Sequence, residues 1–309
     1  MMESMNVAFE SFVSPETYHR VDGKHPLDLY VGIDEHRRWT LLLISDFEPQ
    51  TIDSSKLIAV QKRTRSDNRW TLSLSLVDDK YKEVFQLFCG DIIESSRPII
   101  DKKKGVKFIG KRYQEWREML ANSRGDLLSP SEIKGLLGEM VFLQQFLATT
   151  YGIEKAALSW TGPRKLPQDF IVDDTWYEVK TISSNKSEVK ISSIEQLDSS
   201  NDGKLIVVNA DKTSLTNERA TNLNKLYLQI MEEIKDDSVK TEFSTLLLRF
   251  GYYPRAEYET ADYTFEIKQI QQYKVTPSFP CLRRAAIPES IIAADYTISL
   301  PVILPFREE

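Results

Sequence analysis

Two carboxylates and a lysine lie close together in the segment LPQDFIVDDTWYEVKTI, residues 166–182. Asp169 precedes Glu178 by nine residues, and Lys180 follows Glu178 by two. Carboxylate oxygens suit Mg²⁺, which typically binds one or two protein carboxylates together with phosphate and water oxygens. The spacing therefore predicts a metal site that hydrolyses phosphodiesters. The alternative is a solvated hairpin in which Lys180 pairs with a carboxylate, because short motifs often occur without function.

The residues around these charges predict a β-hairpin. Residues 170–172 and 176–179 are largely β-branched and aromatic, which favours strands, and Asp173-Asp174 are turn formers. A two-residue turn there places Asp169 opposite Glu178, with Cβ atoms roughly 4.5–5.5 Å apart. Lys180 then shares the face of Glu178, because side chains alternate along a strand. The two opposed carboxylates repel each other, and a divalent cation would convert that repulsion into binding.

A third carboxylate, Glu139, lies within a predicted apolar helix. Ser129 can cap this helix, Pro130 fits its first position, and Glu132 completes a capping box. The helix continues as IKGLLGEMVFLQQFLATT, whose apolar residues predict that it is largely buried. Glu139 then needs a cation, a hydrogen-bond partner or an exit to solvent, because a buried unpaired carboxylate is costly. The alternative is an exposed glutamate; Gly138 beside it permits close approach of another backbone.

The order of these elements resembles the PD-(D/E)XK nuclease superfamily: a helix with Glu139, then strands with Pro167-Gln168-Asp169 and with Glu178-Val179-Lys180. The chain as a whole is similar to a bacterial family of uncharacterised PD-(D/E)XK motif proteins, some of them encoded beside DNA-modification and restriction genes. The similarity includes the segments YVGIDEHRRWTLLLI, GLLGEMVFL and FPCLRRAAIPESIIAADYTISL, so it covers most of the chain. One departure is that Gln168 separates the proline and the aspartate of the "PD" pair.

The resemblance implies a site and a function. Asp169 and Glu178 would bind Mg²⁺, for which Mn²⁺ can substitute, and Glu139 would assist directly or through water. Lys180 would orient or activate the attacking water and stabilise developing charge. The implied function is that of a metal-dependent endodeoxyribonuclease, the cleavage subunit of a restriction or phage-defence system. The alternative is a non-catalytic nucleic-acid-binding or assembly subunit that retains the nuclease fold.

The elements predict an α/β fold in two domains. Residues 121–309 are expected to form a restriction-endonuclease-like mixed sheet flanked by helices, and residues 1–120 an additional β-rich α+β domain. The second domain is predicted to contain a central strand at 204–209, a helix at 216–235, and strands at 188–191, 245–250, 263–267 and 296–300. The first is predicted to contain strands at 29–33, 39–44, 56–61 and 70–76 and a helix at 79–93. The first domain could read a DNA feature, dock a partner subunit or support the nuclease.

The most basic stretch runs from Asp101 to Gly125, with eight basic and three acidic residues, in a chain whose net charge is −6. Tyr113 and Trp116 are interleaved with these charges. The stretch suits contacts with the DNA backbone, and a solvated helix surface is an equal alternative. The residues predicted to contact nucleic acid are Lys102, Lys103, Lys104, Lys107, Lys111 and Arg112. Three further residues have two alternatives: Arg283-Arg284 could contact phosphate or form a solvated turn, and Gln196 could reach the site or lie on the surface.

Composition limits the remaining possibilities. A content of 41% hydrophobic and 28% charged residues is typical of a globular protein, and no run approaches the roughly 20 apolar residues of a membrane-spanning helix. Cys89 and Cys281 without a signal peptide predict free thiols and a cytoplasmic location. No phosphate loop is present, so any ATP hydrolysis would have to come from a partner. The resemblance implies partner subunits encoded nearby, an ATPase or a methyltransferase. Cutting both strands of DNA predicts a homodimer or a transient dimer.

Overall fold

The computed structural model describes residues 9, 14–122, 127–164, 166–199 and 201–308. The chain divides into two compact units, Met1–Asp126 and Leu127–Glu309. Both mix helices and sheets, which confirms the predicted α/β class. None of the described helices is both long and apolar enough to cross a membrane.

The first unit contains an antiparallel five-stranded sheet with the strand order β1-β2-β3-β5-β4. Its strands are β1 (Thr17–Arg20), β2 (Asp28–Ile33), β3 (Trp39–Ser45), β4 (Ile58–Thr64) and β5 (Trp70–Leu76). Its long helices are α1 (Lys82–Ser96) and α2 (Lys102–Asn122). The four predicted strands are present, and the predicted helix begins three residues late because Asp79–Tyr81 form a separate 3₁₀ turn.

Helix α2 is partly built into the core of the first unit. Tyr113 and Trp116 are buried. Arg112 donates from Nε and Nη2 to the carboxylate of Asp91 at 2.7 and 2.6 Å, and Trp116 Nε1 donates to the same carboxylate at 2.6 Å. Asp91 is itself buried, so Arg112 neutralises an interior charge. The two aromatic residues therefore stabilise the fold of this unit and do not lie on the surface as interleaved DNA contacts.

The lysines of α2 have a different environment. Lys102, Lys103, Lys104, Lys107 and Lys111 are all exposed. Lys102 lies 3.9 Å from a carboxylate oxygen of Asp28, and Lys111 lies 3.7 Å from one of Glu115. The other three form no ion pair with the described residues. Arg124, the last basic residue of the stretch, lies outside the described residues.

The second unit is built on a mixed sheet with the strand order β10-β11-β9-β7-β6, in which β7 and β9 are parallel and β13 pairs with β11. A separate antiparallel pair joins β8 and β12. The strands are β6 (Phe170–Val172), β7 (Thr175–Ile182), β8 (Glu188–Ile191), β9 (Gly203–Lys212), β10 (Ala220–Thr221), β11 (Phe265–Val275), β12 (Tyr296–Ser299) and β13 (Arg307–Glu308).

The helices of this unit pack mainly on one face of the mixed sheet. They are α3 (Pro130–Phe142), α4 (Ala148–Tyr151), α5 (Ile153–Leu158), α6 (Leu223–Glu233), α7 (Asp237–Phe250) and α8 (Leu300–Ile303). A π-helical turn, Leu143–Leu147, joins α3 to α4. Short 3₁₀ turns lie at Gly162–Arg164, Ile194–Gln196, Ala256–Glu259, Ala261–Tyr263, Arg284–Ala286 and Leu304–Phe306.

Strand β9 is the covered central strand that its apolar run predicts. Ile206, Val208 and Ala210 face the core shared with the helices. Leu205 and Val207 face a second core with residues of β8, β12 and the C-terminal segment. Both faces are therefore packed, which explains why polar residues do not alternate with apolar ones between Leu205 and Val208.

Two predicted elements are wrong in type or extent. Residues 245–250 are the last turns of α7 and not a strand, because a short apolar run does not distinguish a buried helix from a buried strand. Asp236 caps this helix at its start, and Gly251, with φ of 106°, ends it. The helix predicted at 216–235 starts only at Leu223, after the cap residue Asn222.

Gly138 sets how closely α3 approaches the sheet. The capping box of α3, formed by Ser129 and Glu132, is present as predicted, so the start of the helix is fixed. A Cβ atom at Gly138 would overlap Oγ1 of Thr181 on β7. The absence of a side chain therefore allows the contact that brings Glu139, the next residue, to the strand that carries Glu178.

We predict that Gly138→Ala lowers the free energy of unfolding by about 1–3 kcal/mol, because the added methyl group must displace α3 or Thr181. Gly135→Ala is the matched control: its Cβ would meet nothing within 4 Å, so it should stabilise the helix by up to about 1 kcal/mol. Thr181→Ala should partly rescue Gly138→Ala. Urea unfolding measures the free energy of unfolding of wild type, the two single glycine variants and the double variant Gly138→Ala/Thr181→Ala. Equal stability of the two glycine variants would contradict the contact.

Candidate active site

The hairpin that carries the two motif carboxylates has the predicted register. Val172 pairs with Thr175, Ile171 with Trp176, and Phe170 with Tyr177 across the turn at Asp173-Asp174. The pairing continues one step further, since Asp169 N donates to Tyr177 O at 3.1 Å. Asp169 thus lies at the start of β6, beside the part of β7 that contains Glu178.

Asp169 is fixed through both its main chain and its side chain. Its carbonyl oxygen accepts from the amides of Thr161 and Gly162 at 2.8 and 3.2 Å. Its Oδ2 accepts from Val179 N at 2.8 Å, which ties the carboxylate to β7 next to Glu178. The residue remains partly exposed. Asp169 therefore offers a rigidly held carboxylate that solvent can reach.

Glu178 is fully buried and faces Lys180 on the same side of β7. Lys180 Nζ lies 2.7 Å from Glu178 Oε1. Apart from this ion pair, neither carboxylate oxygen of Glu178 has a hydrogen-bond partner among the described residues. The pair is thus a buried charge with a single counterion, which is an unusual and costly arrangement.

Glu139 reaches the same place from α3. It is only 8% exposed, and its Oε2 accepts from Trp160 Nε1 at 2.6 Å. A Cβ atom built at Gly162 would lie 3.3 Å from Glu139 Oε2 and 3.5 Å from Asp169 Oδ1. The two carboxylates therefore border the same small space, which the absence of a side chain at Gly162 leaves open.

Burial raises the pKa of all three carboxyl groups, and repulsion adds to the increase for Glu178 and Glu139. Loss of hydration raises the pKa of Glu178 and of Glu139 well above the usual range, and the charge of Asp169 adds to both shifts. Loss of hydration also raises the pKa of Asp169 to about 6, against the Val179 amide and Lys180, which lower it. The positive charge near the site is therefore too small to offset the effect of burial on the pKa of these carboxyl groups.

The donor set suits a hard divalent cation. The unpartnered oxygens of Glu178 and the adjacent carboxylate of Asp169 are the oxygen ligands that Mg²⁺ and Mn²⁺ prefer. No three His, Cys, Asp or Glu side chains of the described chain are grouped closely enough to form a complete protein site. A cation here would thus depend on a small number of carboxylates and take its other ligands from water or substrate.

The site includes a residue for which the sequence leaves two alternatives and two residues that it does not single out. Gln196 Oε1 accepts from Lys180 Nζ at 3.2 Å and from Ser192 N at 2.7 Å, so this partly buried glutamine contacts the lysine. Trp160 orients Glu139, and Gly162 leaves room beside it. A lone glutamine in a 3₁₀ turn and a lone tryptophan carry no pattern from which these contacts could be predicted.

Gln168, the residue that separates proline from aspartate in the motif, is buried, and its Nε2 donates to Glu195 O at 2.8 Å. This bond joins the segment before Asp169 to the turn that holds Gln196. Gln168, the residue that interrupts the "PD" pair, thus forms a structural contact between these two segments.

The two other groups of basic residues have different structural contexts. Arg283 donates to the carbonyl oxygens of Leu197 and Thr276 at 2.8 and 3.0 Å. Arg284 donates to Glu195 and to the carbonyl oxygens of Ile291 and Ile292. The pair therefore holds the C-terminal segment in place. Lys102 to Arg112 belong to the first unit, whereas the carboxylates and Lys180 belong to the second.

The comparisons with known proteins agree with this geometry. Residues 8–301 match the model of one family, described as "Putative PD-(D/E)XK family member, (DUF4420)". No curated protein and no solved structure matches the chain. Because the family model covers nearly the whole sequence, the chain belongs to this family of PD-(D/E)XK members.

Proposed function

We propose that the chain is a Mg²⁺-dependent endodeoxyribonuclease that hydrolyses DNA phosphodiester bonds, as the cleavage subunit of a restriction or phage-defence system. The observation that carries the proposal is the buried Glu178 carboxylate, which lies beside Asp169 and whose oxygens have Lys180 as their only partner among the described residues. Membership of a PD-(D/E)XK family supports a nuclease. The partner subunits, the cytoplasmic location and the dimer follow from this function as further proposals.

Asp169 and Glu178 would hold the cation, and Glu139 would assist directly or through a water molecule. When bound, the ion polarises the scissile phosphate and lowers the pKa of a coordinated water. Glu139 is preorganised for this role, because Trp160 fixes its carboxylate at the space next to Gly162.

Lys180 contributes the positive charge of the site. Its ammonium group, 2.7 Å from Glu178 Oε1, can donate to a non-bridging phosphate oxygen or to the attacking water. Gln196 holds Nζ from the other side, and the Ser192 amide in turn fixes Gln196 Oε1. The lysine is therefore positioned before substrate binds, which reduces the reorganisation needed in the transition state.

The direct test is cleavage of plasmid DNA, modified and unmodified, with Mg²⁺ and with Mn²⁺. Lys180→Ala should lower the cleavage rate about 10²–10³-fold, because it removes a charge that stabilises the transition state. Lys190→Ala is the matched control, since Lys190 is an exposed lysine on β8 that pairs with Asp295. Binding without cleavage in either metal, by wild type and Lys180→Ala alike, would instead indicate the non-catalytic binding or assembly subunit.

Gln196 is a positioning residue, and its removal should affect the chemical step more than binding. We predict that Gln196→Ala lowers kcat about 10- to 100-fold with little change in KM, because Lys180 loses one of the two groups that hold it. Gln196→Glu, which keeps an oxygen acceptor, should recover part of kcat. The exposed Gln145→Ala serves as control. A change in KM alone, or none, would show that Gln196 does not position the lysine.

A further inference from the structure

A row of uncharged amides lies on the face of the mixed sheet that carries Glu178 and Lys180. In the strand register, Lys180 pairs with Val207, and Val207 pairs with Gln271. Two residues further along β7, Ile182 pairs with Asn209, which pairs with Gln269. Directly paired residues share a face of a sheet. Asn209, Gln269 and Gln271, here called the amide row, therefore continue the surface of the site across β9 and β11.

The opposite face confirms this assignment. Val208 and Ile270, which alternate with the amide row, pack into the core beneath the helices. Leu205, Val207 and Tyr273, on the same face as the row, belong to the second core. The row therefore lies where that second core ends, next to Lys180.

Asn209 is the most buried member of the row. It is only 8% exposed, and its carboxamide makes no hydrogen bond with any described residue. Neither amide atom of Asn209 is among the buried unpartnered atoms of the described chain, so the part of this side chain that reaches the surface includes the amide. Gln271 is half-buried and Gln269 exposed, and their side chains form no hydrogen bond within the described ranges. The row therefore offers unengaged amide donors and acceptors at the surface beside Lys180.

The neighbouring charges are already engaged. Asp211, the next residue of β9 on this face, accepts from Ser184 N at 2.9 Å. Lys268, at the bulge of β11, lies 2.8 Å from Glu266. The amide row is thus a neutral surface between an acidic site and paired charges, which can contact a polyanion without repelling it.

We propose that the amide row binds the DNA strand that occupies the active site, and this inference rests on the proposed function. Side-chain amides offer both donors and acceptors, which match phosphate and sugar oxygens as well as base edges. Neighbouring strands lie about 4.8 Å apart, and same-face residues along a strand about 6.6 Å apart. Asn209 and Gln271 are therefore roughly 8–10 Å from Lys180 by their backbones, within reach of a nucleotide next to the scissile phosphate.

The test is the affinity for fluorescent DNA oligonucleotides, single-stranded and double-stranded, measured by anisotropy with Mg²⁺ in a Lys180→Ala background. Asn209→Leu and Gln271→Leu should each weaken binding on the order of tenfold. Asn209→Leu should change the melting temperature little, because the amide that it removes forms no hydrogen bond with a described residue. Asn209→Asp, which keeps the shape of the side chain, should weaken binding as well.

The matched control is Gln272→Leu. Gln272 is adjacent to Gln271 on β11, but it pairs with Ile206 and faces the opposite side, where its Oε1 is buried without a partner among the described residues. It should bind DNA like the background protein. Loss confined to particular sequences indicates contacts with base edges, and uniform loss indicates contacts with sugar and phosphate; both support the proposal.

Two results would overturn it, and they are distinguishable. If the background protein binds DNA and wild type cleaves it, but Asn209→Leu and Gln271→Leu bind equally well, the amide row has no role and the nuclease assignment stands. If neither wild type nor the background protein binds or cleaves any DNA, both proposals fail together.

Discussion

The structure of the second unit depends on one unfavourable interaction, the burial of Glu178 beside two other carboxylates. Lys180 is the only counterion within 4 Å among the described residues, and Asp169 and Glu139 add repulsion. Such a cluster does not stabilise the fold by itself, because the free-energy cost of desolvating a buried charge can exceed the gain from one ion pair. Under the proposed function, a divalent cation held by Asp169 and Glu178 would offset part of this repulsion, with its other ligands coming from water or substrate.

The surrounding fold holds the carboxylates close in spite of their repulsion. Gly138 lets α3 contact β7, Gly162 leaves space beside Glu139, and the Val179 amide fixes Asp169. The pairing of β7 with β9 then places Lys180 at the border of the second core, where Gln196 holds it from the 3₁₀ turn. The favourable free energy of folding thus holds like charges close together, which is a common feature of functional sites.

The local pattern predicts the hairpin better than the elements around it. A two-residue turn fixes the register of a hairpin, so the position of Asp169 beside β7 follows from residues 169–178 alone. The capped start of α3 is predicted in the same way. The strand predicted at 245–250 is wrong, because the burial of these residues in a helix depends on distant packing partners. The contacts of Gln196 with Lys180 and of Trp160 with Glu139 span 16 and 21 residues of sequence, and local spacing does not predict such contacts.

The measurement closest to the central claim is the melting temperature with increasing Mg²⁺ or Mn²⁺. Binding of a cation to the folded state alone must raise it, by an amount that grows with metal concentration. Wild type and Asp173→Ala, which alters an exposed carboxylate in the same hairpin, should show the rise, and Asp169→Ala should not. A wild type without any rise, or an equal rise in Asp169→Ala, would contradict a metal site formed by these carboxylates.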